Sequence, residues 1–167
     1  SYPIDPGMDG LEGSLTNWLN RGIDAVHGYQ PRLHEPVTLG ERTYVPMEVG
    51  EKLGYALLER SITGRYRIAH TSSGNAPFRC GVIEENGGKQ LLFQGRNTFG
   101  EIDRVQITLD RGYKYELKLP RKEVFFIHTG VDSRIPTGLA SVEQITLYDG
   151  EGQDITESFF MSMGGIQ

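Results

Sequence analysis

From Gly64 onward the apolar residues of this chain recur at every second position. Val105, Ile107 and Leu109 alternate with Arg104, Gln106 and Thr108, and Tyr113, Tyr115, Leu117 and Leu119 alternate with Lys114, Glu116 and Lys118. A period of two sends each set to one face of a strand, so each segment buries one face and wets the other. The segments 65–70, 78–85, 89–95, 103–110, 113–120, 123–128, 142–149 and 154–160 are read as strands on this basis. Asn86-Gly87-Gly88, Asp110-Arg111-Gly112 and Asp149-Gly150-Glu151-Gly152 supply the turns. Short strands so closely spaced predict an antiparallel β-sandwich or jelly-roll-like barrel over about 64–160.

The first third reads differently. Residues 1–8 carry two prolines and a glycine and form an extended arm. Asp9 with Glu12 three positions on fits a capping box. Leu11, Leu15, Trp18, Leu19, Ile23 and Val26 follow at helical spacing, and the pattern predicts a helix over about 10–27. A small hairpin turning at Leu39-Gly40-Glu41-Arg42 comes next. Pro46, then Val49, Leu53 and Leu57, predict a second helix over about 47–60, with Gly50 and Gly54 against it. The fold class is therefore α+β, mainly β, with one or two N-terminal helices. A length of 167 residues fits one domain, with an arm and helical part over 1–63 and the sandwich over 64–167.

The formal net charge of −5 argues against nucleic acid as the main ligand, because phosphate binding needs a dominant basic field. Cys80 is the sole cysteine, so no disulfide forms within the chain. No apolar run reaches the length of a membrane span. These features describe a soluble chain and leave the cytoplasm and a bacterial extracytoplasmic space both open.

Five candidate sites follow from the residues. His70 and Cys80 flank a polar stretch, Thr71–Pro77, read as the tip of a hairpin between strands 65–70 and 78–83. In that pairing Cys80 shares a face with Phe78 and Val82, where a thiol packs as a small hydrophobe and its thiolate is disfavoured. The tip itself, 70–79, is a binding-loop candidate through His70, Asn75 and Arg79. On the hairpin 104–122 the polar face collects Arg104, Lys114 and Lys118, with Arg111, Arg121 and Lys122 at its ends and Glu116 interrupting. Such a stripe on an acidic chain can steer an acidic protein or an anionic glycan, although strand lysines also serve simply to block unwanted pairing. Glu84, Glu85, Glu101 and Asp103 could furnish an acid–base pair if they faced each other across a cleft. His34 and Glu35 could offer two metal ligands, but no third is visible and no metal site is assigned.

The stretch Gly81–Asp110 holds a hairpin, then Asn97-Thr98-Phe99-Gly100, then Leu109-Asp110. In this it resembles the β-sandwich of TerD-like tellurite-resistance stress proteins, over under a fifth of the 167 residues. The resemblance implies a sandwich. The acidic cluster that carries calcium in that family has no counterpart here, since Asn75–Gly81 stands in its place, and no calcium residue is carried over.

The sequence thus points to a non-enzymatic binding domain, without cofactor, that recognises a protein or carbohydrate partner through His70, Asn75, Arg79, Arg104, Lys114 and Lys118. Two alternatives stay open. One is a hydrolase or transferase using His70 and Cys80 or the carboxylates over 84–103. The other is a structural subunit of an envelope or phage-type assembly, joined through its termini.

Overall fold

A computed structural model describes residues 1–21, 28 and 30–164. The architecture is α+β and mainly β, with antiparallel sheets that do not close into a barrel. The chain divides into two compact units, Ser1–Ala76 and Pro77–Gln167.

The first unit contains α1 (Leu11–Leu19), β1 (Arg32–Leu33), β2 (Val37–Leu39), β3 (Arg42–Val49), β4 (Lys52–Arg60) and β5 (Tyr66–Gly74). Its sheet runs β1-β3-β4-β5, and β2 also pairs with β3 through the expected turn, Leu39 opposite Arg42. Pro46 has no N–H to donate. It sits where the neighbour of β3 changes from β2 to β1, and its carbonyl accepts the His34 N–H at 2.8 Å. The helix packs Leu11 and Leu15 against Val45, Ala56, Leu58 and Tyr66 of the sheet, and Ile4 of the arm completes this cluster. Burying a side chain such as Ile4 contributes roughly 1.5–3 kcal/mol. Ile4 and Tyr66 exchange backbone hydrogen bonds of 3.0 and 2.8 Å. Arg65 fastens the rest of the arm: Nε donates to the Tyr2 carbonyl, Nη2 to the Pro3 carbonyl and Nη1 to the Asp5 carboxylate.

Three expectations for this unit are corrected. The helix stops at Leu19, where the Asn20 N–H and Nδ2 both donate to the Thr16 carbonyl, while 22–27 lie outside the described residues. The capping box does not form, because the N-cap is Gly10 at φ 76° and no side chain caps the helix. No helix occupies 47–60. Gly50, at φ 61°, turns β3 back into β4, with Val49 opposite Lys52. Leu53 and Leu57 lie on one face of β4 and Ala56 and Leu58 on the other, and all four are buried. A strand buried on both faces reads as a continuous apolar run, which periodicity cannot distinguish from a helix. Gly54 was the better signal. A Cβ there would lie 1.9 Å from the Ser72 carbonyl oxygen, so the close approach of β5 requires glycine.

The second unit holds β6 (Phe78–Glu85), β7 (Gly88–Arg96), β8 (Arg104–Leu109), β9 (Lys114–Lys118), β10 (Val124–Val131), β11 (Gly138–Leu139), β12 (Val142–Tyr148) and α2 (Thr156–Gly164). One sheet runs β10-β7-β6-β11 and the other β12-β8-β9. Their inner faces share one apolar cluster that includes Val82, Leu91 and Phe93 from the first sheet and Val105, Ile107, Leu117 and Leu147 from the second. This is a sandwich, and the alternation in 104–119 marks its inner residues correctly. Gly95 lies opposite both Phe78 and Phe125, whose rings would stand 2.5 and 2.8 Å from a Cβ added there. Phe93 packs against both rings, at centroid distances of 5.3 and 5.4 Å.

Two more expectations fail, each for a local reason. Segment 65–70 does not pair with 78–83. It belongs to β5, which continues through Gly74 against β4, while β6 pairs with β7 and β11. The supposed hairpin tip is therefore mostly strand, with only 75–77 connecting the two. The segment 154–160 is not a strand: the Asp154 carboxylate accepts hydrogen bonds from the Thr156 hydroxyl and N–H, and α2 begins there. Those same bonds, the hydroxyl first, hold the Asp154 carboxyl below the usual range. Phe159 then stacks on Phe78 at 5.6 Å.

Candidate binding face

The antiparallel register of β8 and β9 sets Arg104 opposite Lys118, Gln106 opposite Glu116 and Thr108 opposite Lys114. All six alternate with core residues, so they share the outer face of the three-stranded sheet. β12 adds Tyr148 opposite Arg104, Thr146 opposite Gln106 and Gln144 opposite Thr108. Arg104, Lys114 and Lys118 of the basic stripe thus lie on one face. Lys114 and Lys118 are exposed. Arg104 is half-buried and fixed: it pairs with the Glu116 carboxylate, and its guanidinium lies 3.9 Å from the Tyr148 ring centroid. The ring and the carboxylate together hold the guanidinium in place. Glu116 interrupts the stripe by occupying Arg104 and leaves the two lysines on either side of it.

Tyr148 was not recognised in the sequence as part of this surface. Val142 opposes Leu109 on the inner face, and the register shifts between Val142 and Gln144. That bulge reverses the alternation, so Ile145 and Leu147 point inward and Tyr148 outward. Counting by twos from Val142 places Tyr148 inside.

The remaining candidates are dispersed. His70 lies on β5 opposite Leu57, exposed, with Tyr55 edge-on at 5.9 Å. Asn75 is exposed at the end of the first unit. Arg79 belongs to the second unit, opposite Gln94 on the outer face of its sheet. His70 and Cys80 therefore sit in different units and not across a hairpin. Cys80 lies opposite Phe93 on the inner face, and burial pushes its thiol up to about 12. At neutral pH such a sulfur is a protonated, weakly nucleophilic group. Glu84 and Glu85 precede β7, whereas Glu101 and Asp103 follow it. The nine residues of β7 span roughly 30 Å, against about 5–9.5 Å between the carboxyls of glycosidases. His34 Nε2 lies 3.0 Å from Glu48 Oε2, and Arg32 approaches the same oxygen at 3.8 Å. Among the described residues, no group of three or more His, Cys, Asp or Glu side chains is arranged to hold a metal ion. No described helix is long and apolar enough to cross a membrane.

The same unit holds a second exposed feature. The loop after β7 is clasped by Asn97, whose Nδ2 donates to the Ile102 carbonyl while its Oδ1 accepts the Ile102 N–H. Both residues are buried, yet Phe99 between them is 85% exposed. The sequence held the signal in its Asn-x-Phe-Gly run, with Gly100 at φ 64° closing the turn.

Comparison with protein-family models, curated proteins and solved structures yields no match to the chain, so the resemblance over Gly81–Asp110 gains no support from them.

Proposed function

We propose that the chain is a non-enzymatic binding module that recognises an anionic protein or glycan through the outer face of β12, β8 and β9. One observation carries this reading: the β8–β9 register sets Arg104, Lys114 and Lys118 on a single outer face beside Tyr148. Carboxylate or sulfate groups of the partner meet the two lysines, and the Arg104–Tyr148 stack offers a flat, rigid surface between strands. His70, Asn75 and Arg79 are left outside this face. The test is binding to acidic peptides, sulfated glycans and their neutral counterparts, for the native chain and for the double variant Lys114→Glu/Lys118→Glu. The reversal should weaken binding at least about tenfold, roughly 1.4 kcal/mol, and added salt should weaken native binding likewise. Indifference to the charge reversal overturns the reading. The peptide and glycan arms distinguish the partner class.

A structural-subunit reading has one observation in its favour. α2 exposes Phe160, Met161 and Met163 at 38, 69 and 37%. Light scattering of the chain with and without residues 161–167 tests it, and assembly that persists without them counts against it.

A further inference from the structure

We infer that Asn86 is a site of spontaneous backbone modification through succinimide formation with Gly87. The residues form the two-residue turn between β6 and β7, with Glu85 opposite Gly88. Both are exposed, and both adopt positive φ, 50° and 77°. Nothing lies within 4 Å of where a Gly87 Cβ would be, so no side chain shields the peptide nitrogen on that side. The other asparagines are less suited. Asn17, Asn20, Asn75 and Asn97 precede Trp, Arg, Ala and Thr, whose side chains crowd the attacking nitrogen. Asn20 is further tied to the Thr16 carbonyl, and Asn97 is buried with both side-chain atoms bonded.

The chemistry needs only water. The Gly87 nitrogen gives up its proton to solvent base and attacks Asn86 Cγ. The new N–Cγ bond forms, the bond from Cγ to the amide nitrogen Nδ2 breaks, and ammonia leaves with the returned proton. Water then opens the ring. Cleavage of the new N–Cγ bond yields an ordinary aspartyl residue. Cleavage of the original peptide bond leaves the backbone running through Cγ and Cβ as isoaspartate. Cyclisation requires the turn to swing out of its left-handed conformation, and a tip with few contacts opens at low cost. The isoaspartyl product lengthens a turn whose two residues set the β6–β7 register, the register that places Cys80 opposite Phe93.

The native protein is incubated at mildly alkaline pH beside a urea-unfolded control, and both are digested and mapped by mass. We expect loss of the unmodified Asn86 peptide, ahead of the other four asparagine peptides, with aspartyl and isoaspartyl forms replacing it. Cys80 should label faster in the aged protein than in the freshly prepared Asn86→Asp variant, which has the same charge but no added backbone atom. An unchanged Asn86 peptide in the native protein while the unfolded control converts overturns the inference. Earlier conversion at another asparagine does so as well.

Discussion

Gly54 and Gly95 both sit inside strands, where glycine ordinarily weakens a sheet, and they are there for different reasons. In the first unit a Cβ on Gly54 would meet main chain: the Ser72 carbonyl oxygen at 1.9 Å and the Ser73 Cα at 2.7 Å. In the second unit the atoms nearest a Cβ on Gly95 would be ring carbons of Phe78 and Phe125. The first unit uses its glycine to let two strands approach, and the second uses its glycine to let two rings lie over the strand between them. Backbone held in a paired strand cannot yield without breaking its ladder. A phenyl ring can turn or tilt, at a smaller cost.

This contrast sets the order of expected effects. Gly54→Ala should be the most damaging, above about 3 kcal/mol or outright loss of the first unit's fold, read from denaturant midpoints. Gly95→Ala should cost about 1–3 kcal/mol, and adding Phe78→Leu should return part of it, because the clash is with a side chain. Equal losses at the two glycines would erase the distinction. Asn97→Ala strands the buried Ile102 N–H and carbonyl, so a loss of about 2 kcal/mol is expected.

The Cys80 thiol gives a pH test confined to the second unit. Its folded pKa is raised to about 12, above the roughly 8.5 of an unfolded thiol, so the unfolded chain releases that proton first. The contribution is fully present below about pH 8.5 and is lost as pH rises toward the folded value. The unfolding constant of the native protein should climb by up to about tenfold per pH unit relative to Cys80→Ala in that window. Thiol reagents near neutral pH should modify Cys80 only after unfolding, and rapid labelling of the folded protein would contradict its packing against Phe93. Lys114→Glu/Lys118→Glu should have the smallest effect on stability, within about 0.5 kcal/mol, since both side chains are exposed. A larger loss would mean the lysines hold the sheet and are not free for a ligand.

The two units also differ in how far their sequences could be read. Residues 104–118 announce their structure because one face of each strand meets water, so the hydrophobic signal and the geometry share a period. β4 hides its structure because both faces are covered, and Leu53 to Leu58 then look as helical as they look extended. At 154–160 the strand expectation overlooked the spacing of Ile155, Phe159 and Phe160, which is helical, and the Asp154 carboxylate accepts the Thr156 N–H where the helix begins. The basic face was legible in Arg104, Lys114 and Lys118, because parity within one hairpin suffices to group them. Tyr148 was not, because its place depends on a bulge in a strand paired across about 40 residues of sequence. His70 and Arg79 looked adjacent only under a hairpin that does not exist. Short polar residues such as Thr71–Ser73 resemble a turn but are tolerated in an edge strand.

The Arg65 fork says something about how the arm can vary over time. Two of its three bonds go to the carbonyls of Tyr2 and Pro3, groups every amino acid possesses, so the grip ignores what those side chains are. Ile4, which fills a socket, Asp5, which answers the third donor, and Tyr2, whose ring centroid lies 4.9 Å from the Arg67 guanidinium, are chosen by the fold. Relatives of this protein should therefore drift freely at Pro3 and hold fast at Tyr2, Ile4 and Asp5, while the path of the polypeptide over Tyr66 stays the same.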